Sequence, residues 1–246
     1  MNYAIESRGL SFRYPDVEGG DVLDGFNACF EANECLGLAG PNGSGKTTFM
    51  MILAGFYEAS RGDIILSGEK IDFHDAHCKK RQRRLIGFSF YNPDDQLFMP
   101  TVLEDVCFGP LNTGMSQEDA EAKSMDILDS LGIANLASRF PRHLSAGQKR
   151  LAALAGLLVM DPEIIVLDEP TAFLDPYSRR QIIRLIKNLT HTRLVISHDL
   201  ELMLDICSKA TIISTGRNIA EGKPEILFKD ESLMQRCRLE VPFRLK

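Results

Sequence analysis

Apolar residues change their spacing several times along the chain, and each change predicts an element. Alternation in Tyr3-Ala4-Ile5-Glu6-Ser7 and the aromatic-rich stretch 10–14 predict strands, broken by turns at Pro15-Asp16 and Gly19-Gly20. Elsewhere the apolar positions run together, as they do in strands covered on both faces. Residues 34–39 form such a run ending at Gly40, 164–167 end at Asp168-Glu169, and 194–197 end at His198-Asp199. Residues 46–54 have helix-compatible apolar content, and Gly55 predicts the stop. From about 115 to 160 the chain reads as helical. Ser116 with Asp119 predicts an N-terminal cap, and Ala120, Met125, Ile127, Leu128 and Leu131 recur near helical spacing. Residues 151–160, rich in alanine and leucine, predict a second helix there. Strands alternating with helices predict a parallel sheet covered on both faces, with ligands beyond the carboxyl ends of the strands.

Composition narrows the picture. The chain has 246 residues, enough for one large domain, with 44% hydrophobic and 25% charged residues. A net charge of −6 argues against DNA or RNA as the main partner, because phosphate backbones favour a basic face. No apolar run approaches the roughly 20 residues that cross a bilayer, and the N-terminus lacks a signal-peptide pattern. Six cysteines without a Cys-x-x-Cys pair suggest reduced thiols in a cytosolic protein.

Gly40-Pro41-Asn42-Gly43-Ser44-Gly45-Lys46-Thr47 matches the phosphate-loop pattern without a gap. Its glycines let backbone N–H groups turn towards phosphate oxygens, and the helix that follows offers its positive end. Lys46 is placed to reach the β- and γ-phosphates, and Thr47 to offer its hydroxyl to Mg²⁺. Downstream, Asp168 can hold Mg²⁺ as a hard oxygen ligand, while Glu169 is placed as general base for an attacking water. His198, at the end of another apolar run, can touch the γ-phosphate and that water. The separation of 122 positions from Lys46 to Asp168 (168 − 46) leaves room for a helical insertion.

Leu144-Ser145-Ala146-Gly147-Gln148 completes a pattern that resembles the ATP-binding cassette (ABC) ATPases across nearly the whole chain. The narrower resemblance is to the cobalt-type and energy-coupling-factor ATPases. It is carried by Ser11-Phe12-Arg13-Tyr14-Pro15-Asp16, by Asn92-Pro93-Asp94-Asp95-Gln96-Leu97-Phe98, and by residues 101–111 with Glu104-Asp105-Val106 and Phe108-Gly109-Pro110. The resemblance implies one α/β P-loop domain over 1–246, with a mostly parallel core sheet, an N-terminal antiparallel β part and a helical subdomain inserted at about 92–160. It also implies that Tyr14 stacks on adenine, that Gly40, Pro41, Asn42, Gly43, Ser44, Gly45, Lys46, Thr47 and Thr48 bind the phosphates, and that Thr47 and Asp168 hold Mg²⁺. Glu169 is then the base and His198 the switch. Ser145, Gly147 and Gln148 face ATP bound by a second, identical or related ATPase subunit, and Asp175 lies in a loop that reaches across that dimer.

A prokaryotic importer subunit, bound peripherally to transmembrane partners on the cytoplasmic face and moving cobalt, nickel or a vitamin, is the function so implied. A soluble ABC ATPase acting on nucleic acid or ribosomes is the first alternative, although such proteins carry coiled-coil insertions or paired cassettes that this chain lacks. The second is a regulatory nucleotide-binding module with low turnover, against which Glu169 and His198 speak.

The sequence departs from the family pattern at Ala146, where glycine is commoner, and at Tyr91, where the family reads glutamine in Phe-Gln-Asn-Pro. A phenol is a poorer metal ligand than an amide oxygen, so Tyr91 is expected to weaken metal positioning or alter sensing of the transmembrane partner. Gln96 is assigned to its own acidic element rather than to that role. His74-Asp75-Ala76-His77-Cys78 holds several metal-ligand types but fits no metal template, and reads as a surface loop. The neighbouring basic run 79–84 reads as a solvated helix face, with anionic lipid as the alternative. Leu97-Phe98-Met99 fits either a partner interface or the chain's own core.

Overall fold

The computed structural model describes residues 3–15 and 19–246; Asp16, part of the turn read above, lies outside them. Two sheets share the chain. The first comprises β1 (Tyr3–Phe12), β2 (Leu23–Glu31), β4 (Arg61–Leu66) and β5 (Glu69–Lys70), antiparallel in the order β2-β1-β4-β5. The second comprises β3 (Cys35–Ala39), β6 (Ile86–Ser89), β7 (Ile164–Asp168), β8 (Thr192–Ser197), β9 (Lys209–Ser214) and β10 (Arg217–Gly222). Its order is β10-β9-β3-β8-β7-β6, and every pairing is parallel except that of β10 at the edge. The unbroken apolar runs account for the centre: β3, β7 and β8 are buried at every position.

Helix α1 (Lys46–Leu53) lies between the two sheets, where Phe49, Met50, Ile52 and Leu53 join Phe26, Phe30, Leu36 and Ile196 in one core. It ends as the sequence predicts, with Gly55 in the left-handed region at φ 73°. Helix α2 (Ala76–Leu85) precedes β6. The other face of the parallel sheet is covered by α5 (Ala146–Leu158), α6 (Pro176–Asn188), α7 (Leu200–Ile206), α8 (Pro224–Leu227) and α9 (Glu231–Arg236). A third core joins α3 (Val102–Asn112), α4 (Gln117–Ser130) and α5 through Val102, Val106, Leu128, Ala152 and Val159.

Two local readings change. The buried line of α4 runs Ala120, Ser124, Leu128, four residues apart, so Met125 points outward and is 36% exposed. Helix α5 starts at Ala146 rather than near 151. Ser145 and Gln148 form a reciprocal capping box there, a signal present in the sequence as Ser-x-x-Gln.

The parallel register puts the candidate chemistry in one place. Ala39 pairs with Ser197, Asp168 with Ile196, and Ser89 with Leu167. Gly40, His198, Glu169 and Phe90 therefore leave adjacent strands at the same sheet edge. No helix among the described residues is long and apolar enough to cross a membrane.

Candidate active site

The phosphate loop bends because its glycines allow it. Gly43 and Gly45 hold φ 76° and 105°, the Ser44 N–H donates to Pro41 O at 3.2 Å, and the Gly45 carbonyl accepts from Phe49 N inside α1. Gly40 has no room for a side chain: a Cβ there would come within 2.2 Å of the Ile213 carbonyl. Lys46 curls over the loop and donates from Nζ to Gly40 O at 2.6 Å and Pro41 O at 2.9 Å. Burial lowers its pKa, while Glu169 and Asp168 pull it back up. Thr47 is exposed; Thr48 is buried and shares a 3.1 Å hydrogen bond with the Tyr14 hydroxyl. The Tyr14 ring lies edge-on to Phe12 and Tyr57, with centroids at 5.0 and 5.6 Å, so an aromatic group stands beside the loop.

Asp168 ends β7 and is almost wholly buried. Its pKa is raised from 3.8 to about 6, first by desolvation and then by Glu169, against the pull of Lys46 and Arg150. A buried carboxylate that feels the charge of Lys46, together with the exposed hydroxyl of Thr47 in the phosphate loop, is a hard-oxygen donor set that suits Mg²⁺, whose charge would offset that desolvation.

Glu169 follows at φ 44°, a strained backbone for a non-glycine residue. Its carboxylate is saturated with donors. Ser197 Oγ donates to Oε2 at 2.6 Å, while Oε1 accepts the His198 backbone N–H at 2.8 Å and lies 2.5 Å from His198 Nδ1. The imidazole side chain is 66% exposed and the carboxylate 12%, so the pair sits at the mouth of the sheet edge.

Two more predicted residues cap helices. Ser145 stands exposed before α5, and Gly147 is buried because α5 crowds α6: a Cβ there would lie 2.5 Å from Ser178 Oγ. Asp175 caps α6, accepting from Tyr177 N at 2.9 Å, Ser178 N at 3.1 Å and Ser178 Oγ at 2.5 Å. These bonds, led by the Ser178 hydroxyl, lower its pKa.

Sequence reasoning missed Arg150. It is 1% exposed and donates from Nη1 to Phe90 O at 2.6 Å and from Nη2 to Tyr91 O at 2.7 Å, fixing the turn after β6. A lysine-arginine pair in a helix gave no sign of burial. Tyr91 is 44% exposed, and its ring meets Phe173. Gln96 serves the same turn, accepting from Phe90 N at 3.3 Å and donating to Ala153 O at 3.2 Å. In the histidine-rich stretch, Asp75 caps α2 by accepting from His77 N at 2.8 Å, and His74 is exposed. Among the described residues no cluster of three or more His, Cys, Asp or Glu side chains could hold a metal. The basic run lies on α2, except that its Gln82 is buried against the carbonyls of Ile52 and Leu53. Of the apolar trio, Leu97 packs on the α3–α5 core and Phe98 stays 63% exposed against Phe108.

A phosphate loop between β3 and α1, an Asp-Glu strand end beside it and a histidine on the next strand define a P-loop ATPase site. The chain belongs to the ABC transporter family: the family model described as ABC transporter matches residues 23–172. It is 41% identical over 242 residues to the energy-coupling factor transporter ATP-binding protein EcfA of Methanothermobacter thermautotrophicus, covering 97% of this chain and 76% of that one. Among solved structures it is similar to cbiO1 of Clostridium perfringens, part of the ABC transporter complex cbiONQ. The TM-score is 0.85 at 31% identity, covering 100% of this chain and 98% of that one. It is also similar to the cassette MJ0796 in a dimeric post-hydrolysis state bound to ADP and Pi, with TM-score 0.79, 25% identity and coverage of 89% and 98%. The chain is an ATP-binding, ATP-hydrolysing member of that family, as the sequence motifs imply.

Proposed function

We propose that this chain drives a prokaryotic membrane importer from the cytoplasmic face, closing on ATP with a second copy of itself and reopening after hydrolysis. The observation that carries the hydrolytic part is the Glu169 carboxylate, oriented by Ser197 and His198 at the sheet edge next to Asp168. In this reading Lys46 leaves the Gly40 and Pro41 carbonyls for the β- and γ-phosphates, and the backbone N–H groups of 40–48 cradle them. Tyr14 stacks on adenine. Thr47 and Asp168 hold Mg²⁺, which when bound neutralises phosphate charge. Glu169 takes the proton from the attacking water, and His198 keeps the carboxylate aligned towards it.

Ser145 is exposed and Gly147 and Gln148 sit with it at the start of α5, where N–H groups suit the γ-phosphate held by the other copy. A cassette similar to this one has a dimeric structure in a post-hydrolysis state bound to ADP and Pi, which supports pairing of two copies. Helices α3–α5 with the preceding turn form the inserted subdomain, residues about 92–160. Exposed Phe98 and Phe108, edge to face at 4.8 Å, support a transmembrane partner's contact there. The relatives named energy-coupling factor transporter ATP-binding protein and part of the ABC transporter complex cbiONQ support a membrane transporter of that type, and cobalt, nickel or a vitamin is the cargo that the sequence resemblance implies.

The test is purification from detergent-solubilised membranes, followed by uptake into vesicles loaded with MgATP. Co-purifying membrane subunits and uptake of labelled cobalt, nickel or vitamin that stops in Glu169→Gln are expected. A chain that copurifies only with nucleic acid or ribosomes contradicts the proposal.

A further inference from the structure

Tyr91 and Phe173 leave different elements, after β6 and after β7, yet their rings meet edge to face, with centroids 5.4 Å apart and planes at 72°. Neither is placed there by chance packing in a core: they are 44% and 77% exposed. Phe173 also holds φ 61°, a left-handed conformation that an aromatic residue resists unless its surroundings hold it. The backbone on either side is pinned. Ala172 N donates to Glu169 O at 3.0 Å, and Asp175 caps α6. On the other side, Arg150 grips the carbonyls of Phe90 and Tyr91 from inside the protein.

Helix α5 thereby reaches the loop 171–175 by two routes. Gly147 abuts Ser178, which donates to Asp175; Arg150 holds Tyr91, whose ring holds Phe173. The loop follows Glu169 two residues on and is tied to it by the Ala172 N–H on the Glu169 carbonyl, so a shift of the loop pulls on the backbone that carries the carboxylate.

We propose that Tyr91 and Phe173 act as one positioning unit for the hydrolytic centre, with Tyr91 working through its ring rather than its hydroxyl. The pair fixes the loop 171–175 relative to the helix that starts at Ser145. This rests on the proposal that Glu169 is the general base. It assigns the unusual tyrosine a role that needs no metal contact.

Steady-state MgATP hydrolysis by the full chain tests it, with Tyr91→Ala, Tyr91→Phe, Phe173→Ala and the double alanine variant. An edge-to-face pair predicts a fall in kcat of up to about tenfold in each single alanine variant, with little change in KM. The double variant should be no worse than the worse single one, and Tyr91→Phe should stay within about twofold of wild type. A second readout does not depend on turnover. The chain has no tryptophan, so Phe173→Trp introduces one reporter, whose fluorescence anisotropy should fall, as the loop gains motion, in Tyr91→Ala but not in Tyr91→Phe. Equal loss in Tyr91→Phe and Tyr91→Ala, losses that multiply in the double variant, or a reporter blind to Tyr91 would each overturn the proposal. If turnover survives Glu169→Gln, the assignment of the base fails instead, whatever the fluorescence shows.

Discussion

His198 Nδ1 lies 2.5 Å from Oε1 of Glu169, the oxygen that also accepts the His198 backbone N–H at 2.8 Å. With Ser197 Oγ on the other oxygen, the carboxylate is held in one orientation by three donors from the end of a single strand. Glu169→Gln keeps the shape but cannot take a proton. It should lower kcat by about a hundredfold or more while ATP still binds. His198→Ala should also lower kcat, by releasing the carboxylate from its alignment. Single-turnover hydrolysis set beside equilibrium nucleotide binding checks both. Loss of binding in Glu169→Gln would contradict the assignment.

Asp168 makes stability depend on pH in an unusual direction. Its folded pKa of about 6 exceeds the ordinary 3.8, so between these values the folded state binds a proton that the unfolded chain has lost. The nucleotide-free protein should therefore lose stability as pH rises from about 4 to 6, by roughly 2 to 3 kcal/mol from this group. Asp168→Asn should flatten that slope and be more stable than wild type at pH 8, while abolishing turnover. Urea denaturation across pH checks it; an unchanged slope would count against it.

Gly147 is required by packing as well as by its place in the Leu-Ser-x-Gly-Gln run. A methyl there meets Ser178 Oγ at 2.5 Å and Ser178 Cβ at 2.8 Å. Gly147→Ala should disturb the Asp175 cap and destabilise the protein by about 1 to 3 kcal/mol. Adding Ser178→Gly makes space, so melting temperature should partly recover in the double variant. No recovery would mean that the crowding lies elsewhere.

Arg150 offers a sharper test of the turn after β6. Arg150→Met leaves the Phe90 and Tyr91 carbonyls without donors and should cost roughly 2 to 4 kcal/mol. Arg150→Lys should rescue little, because one ammonium cannot reproduce the fork that spans both carbonyls. Chemical denaturation of the two variants decides it.

Much of the fold and of the candidate site is legible in the amino-acid sequence. Apolar runs mark β3, β7 and β8, because strands buried on both faces leave no polar positions, and each run ends on a residue at the shared edge. Which strand lies beside which is not legible. β3 pairs with β8 across more than a hundred residues, a choice made by packing and not by local pattern. The start of α5 is obscured despite its capping box, since glycine inside Ser-Ala-Gly-Gln weakens the helical signal. Arg150 and Phe173 are hidden for a different reason. One is a charge whose burial depends on two distant carbonyls, the other an aromatic residue whose partner comes from another strand.

Mixing two crippled full-length chains tests most directly whether a second copy completes the site. Lys46→Ala removes the phosphate lysine, and Ser145→Ala removes the hydroxyl offered to the other copy; each alone should be inactive. Exchanged at equal concentrations in the presence of MgATP, they should regain roughly a quarter of wild-type turnover, because half of the dimers carry one intact composite site of two. Turnover no greater than the sum of the separate variants would contradict it.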